Sequence, residues 1–184
     1  MLIPHLNLNA LRAHLKRGGV IAYPTEFCYG LGCDPRNRRA VHKILRLKHR
    51  PAHKGLILVA ANLVQVRRFI LAPSAAQTAT LNQYWPGPYT FLLPASRHAP
   101  KLVSGRHTSI ALRVSAHPLV ARLTRALGPL VSTSANVAGA KPLKSYAEVL
   151  RIFGASVRVL PGYVGKSKSP SAIIDLKSGK KLRG

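Results

Sequence analysis

Carboxylates are scarce in this sequence. Glu26, Asp34, Glu148 and Asp175 are the only four acidic side chains in 184 residues, set against 29 Lys and Arg for a formal net charge of +25. A glycosidase-type carboxylate pair, or a calcium site built by the protein, would have to use two of these few, which argues against both. Cysteine is scarce too. Cys28 and Cys33 stand five positions apart, a spacing that fits neither a zinc knuckle nor a CxxC redox pair, and two cysteines make no disulfide framework. Reduced, structural thiols in a cytoplasmic chain are the expectation. No apolar run approaches the ~18 residues of a membrane span, and the N-terminus lacks the basic-then-apolar order of a signal peptide, so no membrane contact is expected.

What the chain does have is enough apolar residues, 47%, for one globular core. Its excess of cations repels itself in the folded state unless anions sit close by, so a polyanionic partner is expected: RNA, ATP or an acidic surface.

Strand, turn and helix patterns alternate. A short helix is predicted over Asn9 to Arg17, with Leu11 and Leu15 on one face and Gly18-Gly19 as its stop. The run Gly19 to Tyr23 reads as a buried strand ended by Pro24, and the segment to Gly32 as a glycine-rich turn in which Gly30 and Gly32 let the backbone bend tightly. Asp34-Pro35 reads as the start of a helix whose apolar face carries Val41, Ile44 and Leu45. Further strands are predicted at Leu56 to Ala60, Thr90 to Leu93, Ser109 to Val114, Pro129 to Ser132, Val157 to Leu160 and Ala172 to Leu176. Helices are predicted near Asn62 to Ile70, Ser74 to Tyr84, Pro118 to Leu127 and Tyr146 to Phe153. This is an α/β domain with a sheet of mixed direction, because the turn Tyr84 to Pro88 and the loop Pro94 to Arg106 break strict alternation. Pro161 to Pro170 reads as a mobile loop before a last strand.

Four stretches invite a chemical reading. Gly162-Tyr163-Val164-Gly165-Lys166-Ser167 imitates a phosphate loop but fails, since Leu160 stands where the first glycine belongs and the Ser-Pro steps leave no helix to follow. Lys48-His49-Arg50-Pro51-Ala52-His53-Lys54 places three permanent cations between a helix C-terminus and a strand. They offset the helix dipole at least, and Arg forks with Lys point charges also suit phosphate oxygens. Ser132-Thr133-Ser134-Ala135-Asn136 follows an apolar run, where small polar side chains cap a turn or contact a phosphate or carboxylate. Arg113 sits within the apolar strand Ile110 to Val114 and needs an anionic partner, which a ligand is expected to supply because the chain has so few carboxylates. The eight histidines are scattered, with no metal-binding spacing.

Taken together these segments resemble the YrdC family of threonylcarbamoyl-AMP synthases, also called TsaC. The matching elements are YPTE and YGLG within Tyr23 to Gly32, Lys-x-Arg at Lys48 and Arg50 with KGLIL after it, WPGPYT at Trp85 to Thr90, ALRV at Ala111 to Val114, SAN at Ser134 to Asn136, and PSAIID at Pro170 to Asp175. The resemblance implies one domain over residues 1–184, a twisted mixed sheet flanked by helices around a basic concave cavity. It also implies an enzyme that joins L-threonine, bicarbonate and ATP into threonylcarbamoyl-adenylate and pyrophosphate, with magnesium carried on the nucleotide. Other proteins of the transfer machinery would then pass the group to tRNA beside the anticodon.

By position, the resemblance places Lys48 and Arg50 on the ATP phosphates as the catalytic pair, with Ser134, Asn136, Ser109 and Ser171 as further nucleotide contacts. Thr25, Arg113 and Ser134 would hold threonine, and Glu26 would orient a basic side chain or meet the threonine amine. Phe27-Cys28 departs from the small hydroxyl residue and Val of many relatives. Val59-Ala60 lies where longer relatives carry a substrate-contacting His. The competing reading is a non-catalytic RNA-binding or ribosome-maturation protein, motivated by the net charge and by the basic tail Lys177 to Gly184.

Overall fold

The computed structural model describes residues 6–183. A nine-stranded mixed sheet runs through it in the order β7-β1-β2-β6-β3-β5-β4-β8-β9. The strands are β1 (Ile21–Pro24), β2 (Tyr29–Cys33), β3 (Ile57–Ala60), β4 (Tyr89–Pro94), β5 (Ser109–Val114), β6 (Leu130–Ser134), β7 (Arg158–Val159), β8 (Ala172–Asp175) and β9 (Lys181–Arg183). The helices are α1 (Leu8–Lys16), α2 (Arg38–Leu47), α3 (Ala75–Tyr84), the single turn α4 (Lys101–Ser104), α5 (Pro118–Leu127) and α6 (Tyr146–Phe153). No helix of the described residues is long and apolar enough to cross a membrane.

The central strands are buried on both sides, which explains their near-continuous apolar sequences. Along β1 successive residues point to opposite faces. Ile21 and Tyr23 join the layer formed by Leu11, Leu15, Leu119 and Leu123 of α1 and α5. Val20 and Ala22 join the larger layer with Val41 and Ile44 of α2 and Val149 and Phe153 of α6.

Several sequence expectations are corrected. Tyr29–Cys33 is a strand, paired antiparallel with both β1 and β6, and the turn is confined to Thr25–Cys28, where the Thr25 N–H donates to the Cys28 carbonyl. Gly30 and Gly32 therefore do not bend the chain. They let strands pack closely, since a Cβ at Gly32 would lie 2.7 Å from both the Tyr23 ring and the Val131 carbonyl. Helix α2 starts after Asn37, whose side chain accepts from the Ala40 N–H. Asp34 instead pairs with Arg36 at 3.0 Å, so the nearer Asn takes the cap. The predicted helix Asn62 to Ile70 is only a 3-10 turn over Leu63–Val66, where β-branched Val64 and Val66 are poor helix formers and Gln65 is drawn away to the Ala61 N–H and the Thr124 carbonyl.

The segment 161–170 is not loose. Gly165 and Ser167 donate their N–H groups to the Thr25 and Glu26 carbonyls at 2.8 and 3.0 Å, and the Tyr29 hydroxyl donates to the Gly162 carbonyl at 2.7 Å. Nor is β8 the last strand, because Lys181–Arg183 of the basic tail returns to pair with it. Gly184 lies outside the described residues.

Candidate active site

The ends of β1, β2, β5, β6 and β8 and the C-terminus of α2 surround one cavity of about 610 Å³. Thr25, Lys48, Arg50, Ser109, Arg113, Ser134, Asn136 and Ser171 all line it, so residues up to 146 positions apart in sequence meet at one place.

At the end of α2 the chain turns sharply. His49 has φ of 48°, the one positive value at a non-glycine among the described residues. The Arg50 N–H closes the turn on the Leu45 carbonyl at 2.9 Å. Left-handed backbone costs a non-glycine residue roughly 1 kcal/mol, and here it brings both neighbours of His49 to the cavity wall, which an unbroken helix would not do. Arg50 is steadied by the Gly55 and Lys54 carbonyls.

Lys48 is buried, at 4% exposure. Its ammonium donates to the Ser134 carbonyl (2.5 Å), the Asn136 carbonyl (2.8 Å) and Asn136 Oδ1 (3.0 Å). The Ser134 hydroxyl donates to the same Oδ1 at 2.6 Å, and Asn136 Nδ2 donates to the Ala140 carbonyl at 2.7 Å. Lys48, Ser134 and Asn136 thus form one bracket, and the Lys48 carbonyl completes it by accepting from the Ala138 N–H. Burial, and after it the charge of Arg50, pushes the Lys48 ammonium down to about 8.

Arg113 has the anionic partner that its position demands, and that partner is within the chain. Its Nη2 pairs with Glu26 Oε2 at 2.5 Å, and its Nε–H donates to the Gly87 carbonyl at 3.1 Å. This corrects the expectation that only a ligand would neutralise it. The expectation that Glu26 orients a basic side chain agrees with the geometry. The other Glu26 oxygen accepts from the Ser115 hydroxyl and the Ala116 N–H. Burial raises the Glu26 carboxyl, but Arg113 and the Ser115 hydrogen bond outweigh it and hold the group below the usual carboxylate range. The Thr25 hydroxyl donates to the Cys28 carbonyl at 2.8 Å, so it shapes the turn it sits on. Ser171 shares a 2.9 Å hydrogen bond with the buried Thr90.

Arg183 was missed by the sequence reading. It lines the cavity from β9 and donates to the Ser171 carbonyl at 2.9 and 3.2 Å. Burial, then the nearby charges of Arg50 and Arg113, lowers its affinity for a proton. The sequence signal was slight: Lys177-Ser178-Gly179-Lys180 is a turn-forming stretch after the apolar run of β8, but Lys181-Leu182-Arg183 beyond it carries a single apolar residue. Lys48, Arg50, Lys54, Arg113 and Arg183 therefore share a cavity whose single carboxylate, Glu26, is already paired. Such a site is built to take up anions. The thiol of Cys28 borders it too, but burial pushes it up to about 11, so it is not a nucleophile. No group of three His, Cys, Asp or Glu among the described residues is placed to hold a metal.

A family model named Sua5_yciO_yrdC and described as "Telomere recombination" matches residues 13–183. A threonylcarbamoyl-AMP synthase of Laribacter hongkongensis is 55% identical over 181 residues, covering 98% of each chain. Another, of Chromobacterium violaceum, is 55% identical over 173 residues, covering 94% of this chain and 90% of its own. Among solved structures, P. abyssi Sua5 complexed with L-threonine is similar with a TM-score of 0.86 and 27% identity over 95% of this chain. This chain spans 52% of that longer one. E. coli YciO is similar with a TM-score of 0.79 and 26% identity, over 96% of this chain and 90% of its own.

Proposed function

The chain belongs to the Sua5/YciO/YrdC family, and from that premise we propose that it is an L-threonylcarbamoyladenylate synthase. The observation that carries the reading is the convergence of five cations and the Ser134–Asn136 bracket on one cavity large enough for a nucleotide and an amino acid. Curated relatives at about half identity carry the synthase name, so the non-catalytic RNA-binding reading is not favoured.

In the reaction, the amine of L-threonine adds to the carbon of bicarbonate with loss of water, and the resulting carbamate oxygen displaces pyrophosphate from the α-phosphorus of ATP. Displacement at phosphorus needs positioning and neutralisation of charge more than a strong base. Lys48 and Arg50 supply that charge, held in place before substrate arrives. Lys48 acts mainly as a fixed positive charge and as the clasp on Ser134 and Asn136, since its three protons are already donated within the bracket. Ser109, Ser171 and Arg183 line the nucleotide side. On the other side Arg113 meets the threonine carboxylate, with Thr25 and Ser134 on the same wall. Magnesium enters with ATP as part of the substrate, because the cavity's one carboxylate is committed to Arg113 and Ser115. The product would pass to tRNA through other proteins of the transfer machinery.

The direct test is incubation with ATP, magnesium, L-threonine and bicarbonate. Pyrophosphate release that requires both threonine and bicarbonate is expected, and release independent of threonine, or none, refutes the reading.

A pH profile tests the Lys48 assignment separately. With its proton lost near pH 8, kcat/KM for ATP should fall on an alkaline limb near that pH, because the free enzyme loses the charge. In kcat the limb should lie higher, since bound phosphates favour the protonated form. A flat profile from pH 7 to 9.5 counts against Lys48 as the titrating charge.

A further inference from the structure

The stretch Gly162 to Ser167 imitates a phosphate loop in sequence, yet none of residues 161–167 lines the cavity. It acts through its main chain instead. The Tyr163 side chain is turned out to solvent at 74% exposure, while Val164 packs on the larger core layer. The backbone around them is fastened at four points. The Tyr29 hydroxyl donates to the Gly162 carbonyl at 2.7 Å, and His117 Nε2 lies 3.1 Å from the Tyr163 carbonyl. A carbonyl only accepts, so that ring nitrogen carries the proton. The Gly165 and Ser167 N–H groups donate to the Thr25 and Glu26 carbonyls.

Glu26 is thereby held from both ends. Its carbonyl accepts from Ser167, one carboxylate oxygen accepts from the Ser115 hydroxyl and the Ala116 N–H, and the other pairs with Arg113. The Ser115 hydroxyl also accepts from the His117 N–H at 3.2 Å, so His117 bonds both to the segment 161–167 and to the group that anchors the carboxylate. Gly165 presses on the same residue. A Cβ there would lie 2.9 Å from the Glu26 Cα and carbonyl oxygen, atoms that cannot give way unless Glu26 itself moves. Folding alone does not account for the His117 ring. It stands at the N-cap of α5 without a side-chain cap bond, and its Nδ1 is buried with no hydrogen-bond partner among the described residues, which costs stability. A ring kept at such a cost, and tied to the carboxylate that aims Arg113, points to positioning.

We propose that residues 161–167 are a strap that sets the threonine subsite from outside the cavity. The strap fixes the backbone of Thr25 and Glu26, and through Glu26 the aim of Arg113, with His117 as the positioning residue that latches it in place. The proposal rests on the synthase reading for threonine as the ligand of Arg113. The nucleotide side should not feel the strap, because Ser171 is held separately by Thr90 and Arg183.

The experiment compares calorimetric titration with L-threonine and steady-state pyrophosphate release for wild type, His117→Leu, His117→Gln and Gly165→Ala. Leucine fills the space of the ring without its donor, and glutamine keeps an N–H at about the position of Nε2. His117→Leu should weaken threonine binding and raise its KM about fivefold, and Gly165→Ala about tenfold, with kcat and KM for ATP within about twofold of wild type. His117→Gln should bring threonine affinity back to within about twofold. In a Glu26→Ala background His117→Leu should change threonine affinity by less than about twofold more, since its route to Arg113 is already cut. A segment that serves folding alone would lower the melting temperature or kcat and leave KM for threonine unmoved. That result, equal losses for ATP and threonine, no rescue by glutamine, or additive losses in the Glu26→Ala background would each overturn the proposal. Wild type that binds threonine without releasing pyrophosphate would refute the synthase reading alone, because the affinities still decide the strap, and wild type that binds no threonine would overturn both.

Discussion

Lys48→Met should lower kcat for threonine-dependent pyrophosphate release by about 10³-fold or more while leaving the circular dichroism spectrum unchanged. Methionine nearly matches the volume of lysine, so the buried site stays filled. What it lacks is the charge and the three donated hydrogen bonds. Losing one pre-organised electrostatic contact to developing charge costs about 10²–10³ in rate, and the fixed Lys48 charge is such a contact even though its protons stay within the bracket. Here the same substitution also releases Asn136 Oδ1, which orients the Ser134 hydroxyl. Arg50→Ala removes charge without touching the bracket and should cost less, about 10²-fold. Lys48→Arg should not rescue, because a planar guanidinium cannot point three donors at the converging acceptors of Ser134 and Asn136. A Lys48→Met enzyme within tenfold of wild type would refute the assignment of the phosphates to this wall.

The α/β class, most strands and the cavity-lining residues were legible in the sequence because each is written locally. Apolar runs such as Leu56 to Ala60 have one solution in a sheet buried on both faces, and the motifs fall at strand and helix ends, where side chains converge. What was illegible depends on contacts between distant segments. Gly30 and Gly32 look like turn formers, and only their strand pairing, with the Tyr23 ring and Val131 carbonyl crowding Gly32, shows that they serve close packing. The segment 161–170 has loop composition, yet its backbone donors find the Thr25 and Glu26 carbonyls. Arg183 belongs by composition to a basic tail, and pairing of β9 with β8 brings it into the cavity. Glu26 and Arg113 are 87 positions apart, and nothing local in the sequence of either names the other.

That pair carries the second large effect. Glu26→Ala should lower the melting temperature by roughly 6–20 °C and raise KM for threonine at least tenfold, with KM for ATP within threefold of wild type. Both side chains are largely buried, at 13% and 11% exposure. Removing one partner of such a pair strands the other charge, at a cost of about 3–5 kcal/mol, and each kcal/mol shifts the melting point of a chain this size by about 2–4 °C. Arg113 would also face Arg50 and Arg183 with nothing to offset it, and it would no longer be aimed. The pH dependence follows from the same pair. Because the Glu26 carboxyl is held below its usual range, its contribution is complete above the ordinary glutamate value of about 4.3 and is lost as pH falls below that. Wild type should therefore lose stability in that acid window more steeply than Glu26→Ala does. Glu26→Ala/Arg113→Met separates stability from binding. Removing both charges together should restore most of the lost melting temperature, because an ion pair replaced whole is often neutral, and it should leave threonine unbound. A double variant as unstable as Glu26→Ala would mean that the lost stability comes from the Ser115 and Ala116 contacts of Glu26 rather than from the stranded guanidinium.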